Sequence, residues 1–300
     1  MSQIIRDRDE IRRLFRRHVQ AYKKSVTDCL WFREALTDTA TPFVILVDDR
    51  PFFLWEFESS RGHICQLWGG RDFITNESLD MSVDQAKQFL ELMPGDFEAY
   101  ASCVSPVIPS ELEGPDFSNT KLHLSQSWST FHDYELAVWS GKRRRNMRHD
   151  LKPLMGYQRI WRHKADRKMF DWLMDRDANV AIRHGDDPMS EGIVRSMWDL
   201  FQEAEAQAKL VTLEVWDGLQ RVAAEMFIED YDTGTVLSVI GHGNPEYDSS
   251  GKLLYALVIE RAIEHSFETI DAMNVYNDIK KAFGYLPSAT FWIDIPKERA

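Results

Sequence analysis

Residues 235–264 read TVLSVIGHGNPEYDSSGKLLYALVIERAIE, and the order of features in this stretch decides the fold. The first seven residues, 235–241, are mostly β-branched and apolar, as a strand buried in a sheet requires. Tyr247-Asp248-Ser249-Ser250-Gly251 then reads as a turn. Beyond it, Leu254, Leu257, Val258 and Ala262 recur at helical spacing, predicting a helix over 252–266. A helix start carries unpaired N–H groups and partial positive charge, which suits a pyrophosphate. Ser249, Ser250, Gly251, Lys252 and Leu253 are the candidate cradle, with Gly251 letting a ligand approach the backbone. Lys252 opposes the helix dipole, so it predicts a compensating anion. An ordinary serine-capped helix is the alternative reading of the same residues.

Upstream, 210–216, 220–229 and 235–241 predict an antiparallel meander, with Asp217-Gly218 as a hairpin turn. Helices are expected over 131–154, 166–177 and 189–208, and a strand over 157–162. Downstream come a strand over 269–275, a short helix over 277–283 and a last strand over 289–295. Pro106, Pro109, Gly114 and Pro115 mark the boundary between two halves. The first half repeats the loose plan. Helices are expected over 4–24, 28–36 and 82–92, the last with Ser82 as N-cap and Gln85 in capping-box position. Strands are expected over 43–47, 52–57, 63–68 and 97–104. This order describes a mixed α+β chain, in which ligands often sit where a strand ends and a helix begins.

Composition narrows the function classes. With 300 residues and 44% hydrophobic content, the chain is neither disordered nor fibrous. The apolar run Phe43–Val47 falls far short of the ~20 residues a membrane span needs, and the N-terminus shows no signal-peptide core. Three cysteines (Cys29, Cys65 and Cys103) without CxxC spacing point to a reducing, cytoplasmic compartment and argue against zinc. The nine histidines form no metal spacing, and no GxSxG or cysteine nucleophile motif occurs, so no metal is expected. The ten tryptophans read as core residues or as the lining of an apolar acceptor groove.

Charge is uneven. The whole chain carries 36 − 48 = −12, yet 142–168 holds eleven basic and two acidic residues, so it is +9 and the remainder is −21. That segment reads either as a solvated helix face or as a patch for a polyanion, a phosphorylated cofactor or a tRNA acceptor end. On a helix, Arg145, Arg148 and Lys152 lie opposite Met147, Leu151 and Leu154. Arg143 goes with the apolar set and Arg144 lies at its margin, which predicts an anionic partner. Farther on, Asn274 and Tyr276 at a strand end offer an amide and a phenol to a ligand, and Tyr276 is a candidate proton donor to a leaving thiolate.

Three stretches, taken together, resemble one family. They are Phe131–Leu154 with its KRRRNMR core, SSGKLLYALVIERAIE over 249–264, and IDAMNVYNDIKKAFGY over 270–285. In order, spacing and type they resemble the GNAT acyltransferase superfamily, in its two-lobed FemAB-like and CelD-like branch, over about residues 126–290. The familiar phosphate loop of that family is not intact, and Ser249, Ser250 and Gly251 stand in for it. The resemblance implies two GNAT-like lobes, 1–125 and 126–300, each a mixed, mostly antiparallel sheet flanked by helices.

It also implies direct acyl transfer to an amine without a covalent enzyme intermediate. The donor carbonyl would lie at a splayed strand edge near Val239 and Ile240, where a backbone N–H meets the oxyanion. Glu214, Glu225 and His242 are the candidate bases, His242 because free imidazole is a base suited to neutral pH. Three readings stay open. The first is an N-acyltransferase using acyl-CoA, acetyl-CoA foremost, on a small, peptide or carrier-bound amine. The second is an aminoacyl-tRNA-dependent transferase gripping phosphates with Arg143, Arg144, Arg145 and Arg148. The third is a non-catalytic binding protein that kept the fold.

Overall fold

In a computed structural model, the chain is described over residues 2–22, 26–35, 40–59, 62–67, 78–79, 81–101, 103–104, 116–273 and 277–295. It divides into two units, Met1–Asn119 with Pro287–Ala300, and Thr120–Leu286. Both are mixed α/β, each built on a mostly antiparallel sheet flanked by helices.

In the first unit, β1 (Gln3–Ile5), α1 (Arg8–His18) and α2 (Leu30–Ala35) precede the hairpins of β2 (Thr41–Val47), β3 (Arg50–Ser59) and β4 (Gly62–Leu67). After β5 (Ser78–Leu79), helix α3 (Val83–Leu92) leads to β6 (Asp96–Ala101) and β7 (Cys103–Val104). The order β1-β2-β3-β4-β6 is antiparallel except at the parallel β4–β6 pair. The expected Ser82–Gln85 capping box opens α3. The single helix expected over 4–24 does not form. Ile4 pairs with Ile45 in the sheet, and Asp7 caps α1 by accepting from the Glu10 amide at 2.9 Å.

The second unit begins within β8 (Asp116–His123) and continues through α4 (Phe131–Val138), α5 (Gly141–Leu151), β9 (Gln158–Arg162), α6 (Arg167–His184) and α7 (Glu191–Ala206). The meander of β10 (Leu210–Asp217), β11 (Gln220–Asp230) and β12 (Thr235–Gly243) follows, then α8 (Ser250–Glu264), β13 (Thr269–Asp271) and α9 (Asp278–Ala282). Sheet order is β9-β10-β11-β12-β13-β8, antiparallel except for the parallel β12–β13 pair. Asp217 pairs with Gln220 across the predicted turn, and Gly218 takes the positive φ of 57° that the turn needs.

Alternation builds the core. Val211, Leu213, Val215, Ala223 and Phe227 turn to one face and pack against α8, which buries Leu253, Leu257, Val258 and Ile259 among others. The helix expected over 131–154 is two helices. Trp139 leaves helical geometry, and Ser140 restarts the chain by accepting from the Arg143 amide. The last strand, β14 (Leu286–Ile295), pairs with β6, so residues 287–295 belong to the first unit's sheet and not to a C-terminal lobe running to residue 300. No helix among the described residues is long and apolar enough to cross a membrane.

Candidate active site

The parallel pair β12–β13 is the centre of the second unit, and it comes apart. The strands are paired only over Thr235–Leu237 and Thr269–Asp271. Beyond Asp271 the chain turns to β8 instead. The Ala272 amide donates to the Thr120 carbonyl at 2.9 Å, and the Thr120 amide and hydroxyl both donate to the Met273 carbonyl at 3.1 Å. Met273 takes a left-handed φ of 48°, held by its amide donating to Asp271 Oδ1 at 3.0 Å. The six further residues of β12, 238–243, therefore have an edge that β13 does not cover.

Within that stretch β12 bulges in its ladder with β11. Met226 pairs with Ile240 and Phe227 with Ser238, so Val239 is an extra residue. A bulge withdraws a residue from the ladder and re-aims its neighbours. Val239 and Ile240, the expected carbonyl site, lie at this irregularity.

Glu225 faces the same region from β11, opposite Gly241. It is buried, and accepts from the Ser238 hydroxyl at 2.6 Å. Burial pushes its carboxyl up to about 7, against the smaller opposing pulls of Ser238 and the Lys280 charge. Gly241 makes this fit possible, since a Cβ there would lie 2.9 Å from Glu225 Cγ. Lys280, on α9, is also buried and donates from Nζ to the Ala272 carbonyl at 2.7 Å. Burial lowers its ammonium to about 8, with Asp271 and Glu225 pulling the other way. Asp271 is buried too, its pKa raised by burial, and pairs with Lys121 at 3.5 Å. Lys280 and Asp271 thus border the point where the strands part.

The start of α8 lies at the far end of β12. A Cβ on Gly243 would meet Ser250 Oγ at 2.2 Å and the Gly251 nitrogen at 2.6 Å, so strand end and helix start touch through glycine. The serine-cap alternative fails here. Ser249 is left-handed at φ 65° and makes no side-chain cap bond, while the Ser250 hydroxyl donates away to the Asn244 carbonyl at 3.0 Å. The Leu253 amide makes the first helical bond, to the Ser249 carbonyl. Among the described residues the Gly251 and Lys252 amides have no acceptor, and space beside Gly251 is open. Next to this end runs a groove of about 500 Å³, lined by Lys142, Arg143 and Asn146 of α5, Lys252, Asp278 and Phe283. The anion that Lys252 calls for is Asp150 of α5, 2.6 Å away, whose carboxyl this bond holds low.

Several expected site residues have other work. Glu214 is buried between Arg221, which donates from Nη2 at 2.6 Å, and Arg162, so it is an ion-pair centre and not a base. Arg144 donates to the Trp139 carbonyl at 2.6 Å and caps α4. Arg148 pairs with buried Glu135. Arg143 is exposed rather than core-facing, and Arg145 is exposed as well. Of the four arginines expected to form the polyanion patch, Arg143 and Arg145 therefore keep exposed side chains not drawn into these bonds. His242 occupies the sheet face opposite Glu225, its Nε2 3.2 Å from Asp177 Oδ1 of α6. Asn274 and Tyr276 lie outside the described residues.

Ser238, Gly241, Gly243 and Lys280 escaped the sequence reading. Each acts through a cross-strand or tertiary neighbour, and only the glycines of Gly241-His242-Gly243 inside a strand gave a signal.

Residues 141–281 match a family described as an acetyltransferase (GNAT) domain. No curated protein matches the sequence. Similar solved structures include FemX, at 8% identity over 99% of this chain and 98% of that one, with a TM-score of 0.59. A tandem GNAT protein from the clavulanic acid biosynthesis pathway, solved without AcCoA, is 10% identical over 98% and 97% of the two chains, with a TM-score of 0.55. An acetyltransferase from the GNAT family of Colwellia psychrerythraea is 8% identical over 98% and 99%, with a TM-score of 0.51. At such identities these likenesses speak for fold. Residues 141–281 match the GNAT acetyltransferase domain, and the chain as a whole shares the fold of FemX and of tandem GNAT proteins.

Proposed function

We propose that this protein moves an acyl group from acyl-CoA, acetyl-CoA foremost, to an amine by direct attack. The observation that carries the proposal is that β12 runs from a stretch β13 does not pair to a helix start with two amides that have no acceptor among the described residues. The amides are those of Gly251 and Lys252, and the stretch that β13 leaves unpaired, 238–243, includes the bulge at Val239. Pyrophosphate takes the two amides, with Ser249, Ser250 and Leu253 shaping the turn around them. The groove beside Lys142 and Arg143 receives the remaining phosphate-bearing part of the donor. The pantetheine arm lies along 238–243 in place of a paired strand.

The acyl carbonyl then reaches the Val239–Ile240 backbone, whose N–H stabilises the developing oxyanion. The neutral amine attacks the carbonyl carbon, a C–N bond forms, and its proton passes to the Glu225 carboxylate directly or through one water. The C–S bond breaks, and Tyr276 is assigned the proton that the leaving thiolate takes. A carboxyl poised at about 7 suits a base working near neutral pH. Lys280 keeps the chain beyond Asp271 on the β8 side by binding the Ala272 carbonyl, and its charge favours ionised Glu225.

Acetyl-CoA and longer acyl-CoAs are tested by thermal shift, and by release of free thiol with a panel of amines. Stabilisation by a CoA ester, with thiol release, is expected. No shift with any CoA species, together with salt-sensitive binding of aminoacyl-tRNA, would transfer the donor site to the second reading.

A further inference from the structure

The hairpin of β3 and β4, in the first unit, gathers ligand-type side chains that no part of the acyltransferase site uses. Glu56 pairs directly with Cys65, and Glu58 with His63. Residues two apart on a strand share a face, so all four side chains lie together. The Cys65 sulfur, a His63 ring nitrogen and a Glu56 oxygen all lie within 4.8 Å of one another. His63 Nε2 is 3.2 Å from Glu56 Oε2, and its Nδ1 is 2.8 Å from Glu58 Oε1. The ring is seated by a missing side chain. A Cβ on Gly95 would lie 2.5 Å from His63 Cδ2 and 2.3 Å from the His63 carbonyl oxygen.

We propose that Glu56, His63 and Cys65 form a binding site for one divalent cation of the zinc class, with Glu58 orienting the His63 ring. An oxygen, a nitrogen and a sulfur suit a borderline-soft ion, and three protein ligands leave a fourth position for water. A histidine that ligates a metal commonly donates its other N–H to a carboxylate, which is the place Glu58 holds. Arg6 supports the reading. Its guanidinium sits on the Glu56 carboxylate, 3.0 Å from Oε2, and so supplies a cation where the metal would sit. The ion displaces Arg6 from the Glu56 carboxylate and binds Cys65 as the thiolate. Cys65 is buried, while the His63 side chain is 34% exposed, so the ion enters past the imidazole. The spacing of cysteines and histidines gave no hint of this, because the hairpin register and not sequence proximity brings residues 56, 63 and 65 together.

The full chain, stripped with a chelator and kept in a non-thiol reductant, is titrated with Co²⁺ and then Zn²⁺. One equivalent of Co²⁺ should produce thiolate-to-cobalt absorption that Zn²⁺ bleaches. Cys65→Ser should abolish that absorption, and Glu58→Gln should weaken binding about 10–100-fold. Arg6→Ala, which removes the competing cation, should tighten it. Should Cys65→Ser fail to fold, the two latter variants carry the test. Three results would overturn the proposal: no thiolate absorption in the wild type, absorption retained in folded Cys65→Ser, or an affinity that neither Glu58→Gln nor Arg6→Ala changes.

Discussion

The Ser238 hydroxyl donates to Glu225 across the β11–β12 ladder at 2.6 Å, one residue before the bulge at Val239. That bond joins a buried carboxyl, raised by burial to about 7, to the stretch of strand that β13 leaves unpaired. Under the proposed function it sets where a proton goes relative to where the donor lies.

Acyl transfer should therefore rise with pH as Glu225 ionises around 7. Glu225→Gln should lower kcat about 10²–10⁴-fold. Ser238→Ala removes a bond that holds the carboxyl down, so the acid limb of the kcat profile should move to higher pH. An unmoved limb in Ser238→Ala would assign the titration to another group.

The same carboxyl should cost stability as it ionises. In the fold it keeps its proton up to about 7, against 4.5 for an ordinary glutamate, so the native state binds more protons between those values. Stability then falls as pH rises through that window, by roughly 3 kcal/mol if the whole shift is realised. Chemical denaturation at pH 4.5 and 7.5 should show this descent in wild type and its loss in Glu225→Gln.

Gly241→Ala should displace Glu225, because the added Cβ would lie 3.0 Å from Cδ and 3.1 Å from Oε2. A fall in kcat with a smaller change in donor KM is expected. Steady-state kinetics with donor and acceptor varied separately would show it.

Glu214→Gln should behave differently from any change at Glu225. Two arginines lose a buried carboxylate, at a cost of about 3 kcal/mol, and the pH profile keeps its shape. Urea melts and the kcat profile of the same variant separate these outcomes.

Much of the second unit was legible because its signals are local. Asp217-Gly218 fixed a hairpin, and the apolar spacing of 254, 257, 258 and 262 fixed a helix. What escaped depends on partners distant in sequence. Glu214 and Glu225 look alike as strand glutamates, and only Arg162, Arg221 and Ser238 tell them apart. Arg148 reads as free charge until Glu135 is seen to occupy it, and Arg144, expected to meet an anion, meets the Trp139 carbonyl. The break between α4 and α5 was hidden because Trp139 is apolar and continues the helical pattern, although Ser140-Gly141 marks it. The final strand crosses to the first unit's sheet, a pairing that no local pattern encodes.

Binding of acetyl-CoA to wild type and Gly251→Asp, read by calorimetry with a thermal melt of each protein, tests the donor seat most directly. The first helical turn tolerates an aspartate well, and space beside Gly251 is open, so the variant should melt at or above the wild-type temperature. Its carboxylate would meet the donor's phosphates, and affinity should drop at least about tenfold, near 1.4 kcal/mol. Equal binding by the two proteins, or no binding of any acyl-CoA by the wild type, would contradict the account.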